Sequence, residues 1–200
     1  MFTRSKHTAP GVIALLAIAA VQPASAQVSM IFDPVGDTFF QNAPAFQDVA
    51  LGRMTKTAGG DFELLMELAG PVPVAPLLPP QARSEIWWGW NFDLDPAAFP
   101  RGYPWGIDRN SEFLLLVTWD GAEFAGTAID RRPLLTGGEA IVIPVTFSIN
   151  GTTVEAVLAY DLIGDVPATF GWAPFTIDWA GPVGSEGVSV VDVALTTFSP

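Results

Sequence analysis

Beyond residue 26, apolar residues recur at every second position in several short runs, and none sustains the spacing of an amphipathic helix. Phe62, Leu64, Met66 and Leu68 alternate with Glu63, Leu65 and Glu67, which predicts a strand with one buried face. Ile86, Trp88, Trp90, Phe92 and Leu94 form a second buried face, leaving Trp87, Gly89, Asn91, Asp93 and Asp95 on the other side. Gln47 to Thr57, Phe170 to Asp178 and Val188 to Phe198 read as further strands.

Two hairpins carry their own register. Ile141 to Ile149 and Thr152 to Tyr160 flank Asn150-Gly151, a strong two-residue turn signal that is also a glycosylation sequon. With those two residues at the tip, Ile149 faces Thr152, Phe147 faces Val154, Val145 faces Ala156, Ile143 faces Leu158 and Ile141 faces Tyr160. A second turn at Asp120-Gly121 sets Val117 against Phe124, Leu115 against Gly126, Phe113 against Ala128, and Thr118 against Glu123. Leu114 and Leu116 leave both faces of that hairpin partly apolar.

Short strands separated by turn signals predict an all-β fold of two packed antiparallel sheets, a jelly-roll or immunoglobulin-like sandwich over residues 27–200 as a single domain. Two long connections interrupt the strands. Pro71 to Arg83 is proline-rich, and Ala97 to Asn110 carries Phe99, Tyr103 and Trp105. Connections of that length in a small domain are often functional.

The first 26 residues read differently. Arg4, Lys6 and His7 precede an apolar run from Gly11 to Val21, and Ala24-Ser25-Ala26 follows, the three parts of a secretory signal peptide. The run is too short for a bilayer span of ~20 residues, and charges or prolines interrupt every later apolar stretch. The expected product starts at Gln27, is not membrane-spanning, and is secreted or periplasmic; the leader looks bacterial.

Composition then narrows the chemistry. The chain of 200 residues has no Cys, and its single His lies in the leader. The exported form therefore lacks Ser-His-Asp triads, thiol nucleophiles, and zinc sites built on Cys or His. A formal net charge of -12 at pH 7 repels phosphate backbones, so no nucleic-acid partner is expected.

Asp33-Pro34-Val35-Gly36-Asp37, followed by Gln47-Asp48-Val49, resembles the D-x-x-G-D opening and later D-[IV] of the DOMON-like sandwiches and family-nine carbohydrate-binding modules. Val154-Glu155-Ala156-Val157-Leu158 with Leu162-Ile163-Gly164 resembles the group's V-E-x-x-I-P-x-x-x-L-G segment, with Ala159 where that segment has proline. Val191-Asp192-Val193-Ala194 is similar to the group's aspartate near its last strand. The resemblance implies a secreted module that binds sugars, haem or other partners. Haem-binding members use Met and His ligands, so neither haem nor zinc is expected here.

Candidate residues follow. On the outward side of the tryptophan strand, Trp87 with Asn91 and Asp93 combines a stacking ring with amide and carboxylate groups, which suits a sugar. Tyr103 and Trp105 from the following loop would add a second stacking surface. The plainer alternative is that Trp87 is covered and the acids are solvated. Asp33, Asp37, Asp48 and Asp192 are candidate calcium ligands, since calcium takes six to eight oxygens; the alternative is that they are turn residues. Asp93 and Asp95 are the best acid pair for glycoside hydrolysis, with Glu85, Glu112 and Glu123 as further acids, but acids two apart on a strand are commonplace. The leading expectation is thus a noncatalytic module binding carbohydrate, with no catalytic residue assigned. A module that meets an extracellular protein ranks second and a glycoside hydrolase third.

Overall fold

In a computed structural model describing residues 26–39, 43–78, 85–95, 111–164, 166–179, 188–193 and 196–198, with side chains as far as residue 178, the alternating runs form two antiparallel sheets. One sheet has the order β1 (Gln27–Phe32), β2 (Val49–Lys56), β3 (Phe62–Leu68), β9 (Thr153–Leu158) and β8 (Phe147–Asn150). The other runs β11 (Val188–Val193), β10 (Phe170–Trp179), β4 (Glu85–Asp93), β5 (Phe113–Trp119), β6 (Phe124–Asp130) and β7 (Ile141–Pro144), with β12 (Thr196–Phe198) also beside β10. Among the described residues, helix is confined to 3-10 turns at Ala45–Gln47 and Arg132–Thr136 and one α turn, α1 (Tyr160–Ile163). The architecture is the expected two-sheet β-sandwich. The leader, residues 1–26, lies outside the described residues apart from Ala26.

The core forms where the two inward faces meet. Met54, Phe62, Leu64 and Met66 from one sheet pack against Ile86, Trp88, Trp90 and Phe92 from the other, each at most 2% exposed. Two of the tryptophan nitrogens limit the cost of this burial, while those of Trp90 and Trp119 are buried without a hydrogen-bond partner. Trp88 donates to the Phe46 carbonyl at 2.7 Å, and Trp172 donates to the Ser29 hydroxyl at 3.1 Å. On the inward side of β10, Thr176 and Asp178 continue the row of Phe170 and Trp172 as polar residues. Gln47 closes this end, its side-chain amide donating to the Asp178 carboxylate at 2.6 Å while its main-chain carbonyl accepts from the Thr176 hydroxyl at 2.5 Å.

Both hairpins form with a register two residues away from the expected one. Asn150 pairs with Thr153, Ile149 with Val154 and Phe147 with Ala156, so Gly151-Thr152 is the tip. Trp119 pairs with Phe124, Val117 with Gly126, Leu115 with Ala128 and Phe113 with Asp130. The physical reason is turn type. A type I′ turn needs positive φ at both central residues, yet among the described residues only glycines have positive φ. Gly151 (φ 60°) and Gly121 (φ 96°) instead take the first central position, where a II′ turn needs glycine. Asp120 stays outside the tip and accepts from the N–H groups of Ala122 and Glu123 at 2.8 and 2.9 Å. Because the slip is an even number, every side chain keeps its face, and the expected core survives.

The longer hairpin also ends sooner than expected. Ile143 faces Ala128 and Ile141 faces Asp130, so β7 belongs to the seven-stranded sheet while β8 belongs to the other. Pro144 stands at the crossing, where a residue without an N–H ends one ladder at no cost in hydrogen bonding. The expected pairs Val145–Ala156, Ile143–Leu158 and Ile141–Tyr160 therefore do not form. The expected strand over 188–198 divides into β11 and β12. The pattern does not single out β1, because its apolar residues face outward: Val28, Met30 and Phe32 are exposed while only Ile31 is buried.

Candidate functional site

The outward face of the seven-stranded sheet can be read row by row from its registers. Trp87 lies between Thr118 and Ile177, Gly89 between Leu116 and Phe175, Asn91 between Leu114 and Ala173, and Asp93 beside Gly171. Two regions result. Leu114, Leu116, Phe175 and Ile177 form a second buried apolar cluster, against which Trp87 and Ile129 pack. Gly89 is required there, since a Cβ would overlap both the Phe175 ring and Leu116. At the edge of the cluster, Asn91 and Asp93 have the short residues Ala173 and Gly171 beside them on β10.

Trp87 is half-buried, and its indole N–H donates to the Glu85 carboxylate two residues earlier on the same strand. Asn91 and Asp93 are also half-buried. The structure thus places Trp87, Asn91 and Asp93 on one face, as expected, but the ring and the amide lie four residues apart, about 13 Å along the strand. The buried Phe175 ring fills the space between them. A single small ligand cannot touch both, whereas an extended polymer can. Tyr103 and Trp105 lie outside the described residues.

The acid pair is a correction. β4 ends at Asp93, and Asp95 lies beyond the strand, so the two carboxylates do not share a strand face. The chain leaves the strand because Glu112, 3% exposed, accepts from the Leu94 N–H at 2.6 Å and turns the backbone aside. Glu112 has a structural role there, and Glu123 sits at the exposed tip of the β5–β6 hairpin.

The candidate calcium residues gather in part. Asp33 and Asp37 bracket the turn after β1, and Asp48, 6% exposed, accepts from the Gly36 N–H at 2.8 Å. Burial pushes the Asp48 carboxyl above its usual range; the Gly36 hydrogen bond opposes this and the nearby Asp37 charge adds to it. Asp48 Oδ1 is buried with no hydrogen-bond partner. Asp192 sits on β11 opposite Thr176, with its side chain outside the described set. Among the described residues, no group of three or more acids, histidines or cysteines is arranged to hold a metal ion.

Two features were missed from sequence. One is the buried Gln47–Asp178–Thr176 link, invisible because its members are about 130 residues apart in the chain. The other is an open cleft of about 270 Å³ on the outward face of the five-stranded sheet, lined by Arg53, Glu63, Leu65, Glu155 and Val157. The alternation of charged and apolar residues in β3 and β9 marks these as solvent-side positions, but only the strand order makes them neighbours. Among the described residues no helix is long and apolar enough to cross a membrane. No family model matches the chain, and no curated protein or solved structure matches it either.

Proposed function

We propose that this protein is an exported, noncatalytic binding module for an extended polar polymer, carbohydrate being the class that fits best. The observation that carries the reading is the outward face of β4, where half-buried Trp87 is followed at polymer spacing by Asn91 and Asp93. A tryptophan face accepts the C–H side of a sugar, and amide and carboxylate groups bond its hydroxyls. Asp93 cannot pair with Asp95 across one strand face, which favours binding over hydrolysis. The similarity of Asp33 to Asp37 and Val154 to Leu158 to DOMON-like and family-nine modules points the same way.

The test is a panel of soluble and insoluble glycans measured by calorimetry or pull-down. At least one polysaccharide is expected to bind, with Trp87→Ala lowering affinity by roughly tenfold at an unchanged fold. An empty panel, or full affinity in Trp87→Ala, Asn91→Ala and Asp93→Ala alike, overturns the reading.

The proposal includes calcium beside the turn between Asp33 and Asp37, where Asp48 accepts from the Gly36 N–H. Its support is the buried Asp48 oxygen that lacks a hydrogen-bond donor. An ion bound only to the folded state raises stability by mass action. Millimolar calcium is expected to raise the melting temperature and a chelator to reverse the gain; identical melts in both would remove calcium from the reading.

A further inference from the structure

We propose that two copies of this chain associate through the open edge of β1, pairing antiparallel about a two-fold axis at Met30. β1 is a terminal strand of its sheet and, among the described residues, pairs with β2 alone. Edge strands are normally protected by shortness, charge, proline or a bulge. The other edges have such devices: β8 has four residues, β7 has four and ends on Pro144, and the pairing of β11 contains a register shift and Asp192. β1 has none of them. Its six residues, Gln27–Phe32, are uncharged, contain no proline and pair with β2 in one unbroken register.

Backbone direction and side-chain direction select the same partner. Asp33 donates its N–H to Ala50 across the β1–β2 pair, so the odd-numbered residues direct their backbone groups toward β2. Val28, Met30 and Phe32 therefore aim theirs at the open edge. The same three side chains stand on the outward face, 54%, 47% and 77% exposed. Directly opposed residues in an antiparallel pair share a face, so only a register with an even sum joins these rows. Centring it on Met30 pairs Val28 of each copy with Phe32 of the other and Met30 with Met30. About six backbone hydrogen bonds form, and all the outward apolar side chains meet in one patch. Asp33 of one copy falls opposite the uncharged Gln27 of the other, so no like charges are directly opposed within the strand pair.

The two-fold uses the same edge on both chains, so assembly stops at the dimer. One strand pair is smaller than a standard interface, and the overall charge of -12 opposes it. The dimer is therefore reversible and strengthens as salt screens that repulsion. This inference does not rest on the sugar reading, and its tests use no glycan.

The chain is produced from its full sequence, its N-terminus is read by mass spectrometry, and its mass in solution is followed by sedimentation across concentration and salt. Twice the mass of one chain is expected at high concentration, more so at high salt. Met30→Lys places two ammonium groups at the axis and is expected to weaken association on the order of a hundredfold with an unchanged circular-dichroism spectrum. A second measurement fixes the register. The chain has no native Cys, and the opposed α-carbons at the axis would lie about 5.5 Å apart, within disulfide range. Met30→Cys alone is expected to cross-link, Val28→Cys alone is not, and Val28→Cys mixed with Phe32→Cys is. A single-chain mass at every concentration and salt, open-ended oligomers, or cross-linking by Val28→Cys alone overturns the proposal.

Discussion

Adjacent tryptophans on β4 do opposite work, and the difference is set by which face each one takes. Trp88 is fully buried between the sheets, with its N–H on the Phe46 carbonyl; Trp87 is half-buried on the outward side. Trp88→Ala is expected to cost about 3–5 kcal/mol, from the lost apolar burial, the cavity and an orphaned carbonyl. Trp87→Ala should cost clearly less, and chemical denaturation of the two variants compares them directly. Asp48 offers a test in the pH dependence. Its carboxyl holds a proton to higher pH in the fold than in the unfolded chain, so stability falls as pH rises through the interval just above the ordinary carboxylate pKa. Above that interval the penalty stays constant. Asp48→Asn keeps an oxygen for the Gly36 N–H and removes the charge. In chelator it is expected to melt above the native chain at about pH 7, with the gap closing toward about pH 4. A gap that widens on acidification would reverse the assignment.

At the level of elements, the hairpin turns settle what alternation leaves open. Alternation fixes parity, and parity decides the face each residue takes; it does not choose between registers that differ by two. That choice was made by glycine at the first central position of each tip. Gly151→Ala is therefore expected to cost about 1–2 kcal/mol through its positive φ, although a Cβ there meets no neighbouring atom. Asn150 is an ordinary strand residue opposite Thr153, so Asn150→Thr should be neutral within about 0.5 kcal/mol. If the tip were Asn150-Gly151, a β-branched residue at position 150 would be strongly destabilising. Thermal melts of the two variants therefore distinguish the registers. β1 went unseen for a related reason: its alternation is inverted, with apolar residues toward solvent, and a pattern that assumes buried apolar faces passes over it.

For the molecule as a whole, the leader pattern and the start of β1 coincide: the first described strand begins at Gln27, the residue that follows Ala24-Ser25-Ala26. Export is expected to yield an N-terminus at Gln27, and intact-mass analysis of the periplasmic or secreted protein checks it; Met1 retained in that fraction would contradict the prediction. The sequence by itself determined the fold class, the inward faces of β3 and β4 and the absence of Cys. It could do so because strand parity and residue type are local properties. It also placed Trp87, Asn91 and Asp93 on one outward face. Tertiary structure alone decided the rest. The strand order brought Phe175 over Gly89 and separated the aromatic from the polar part of that face. Crossing at Pro144 moved β7 into the second sheet. The link from Gln47 to Asp178 and the open edge of β1 depend on which strands become neighbours. Contacts between residues a hundred positions apart are set by the packing of whole sheets, and no local period in the chain encodes them.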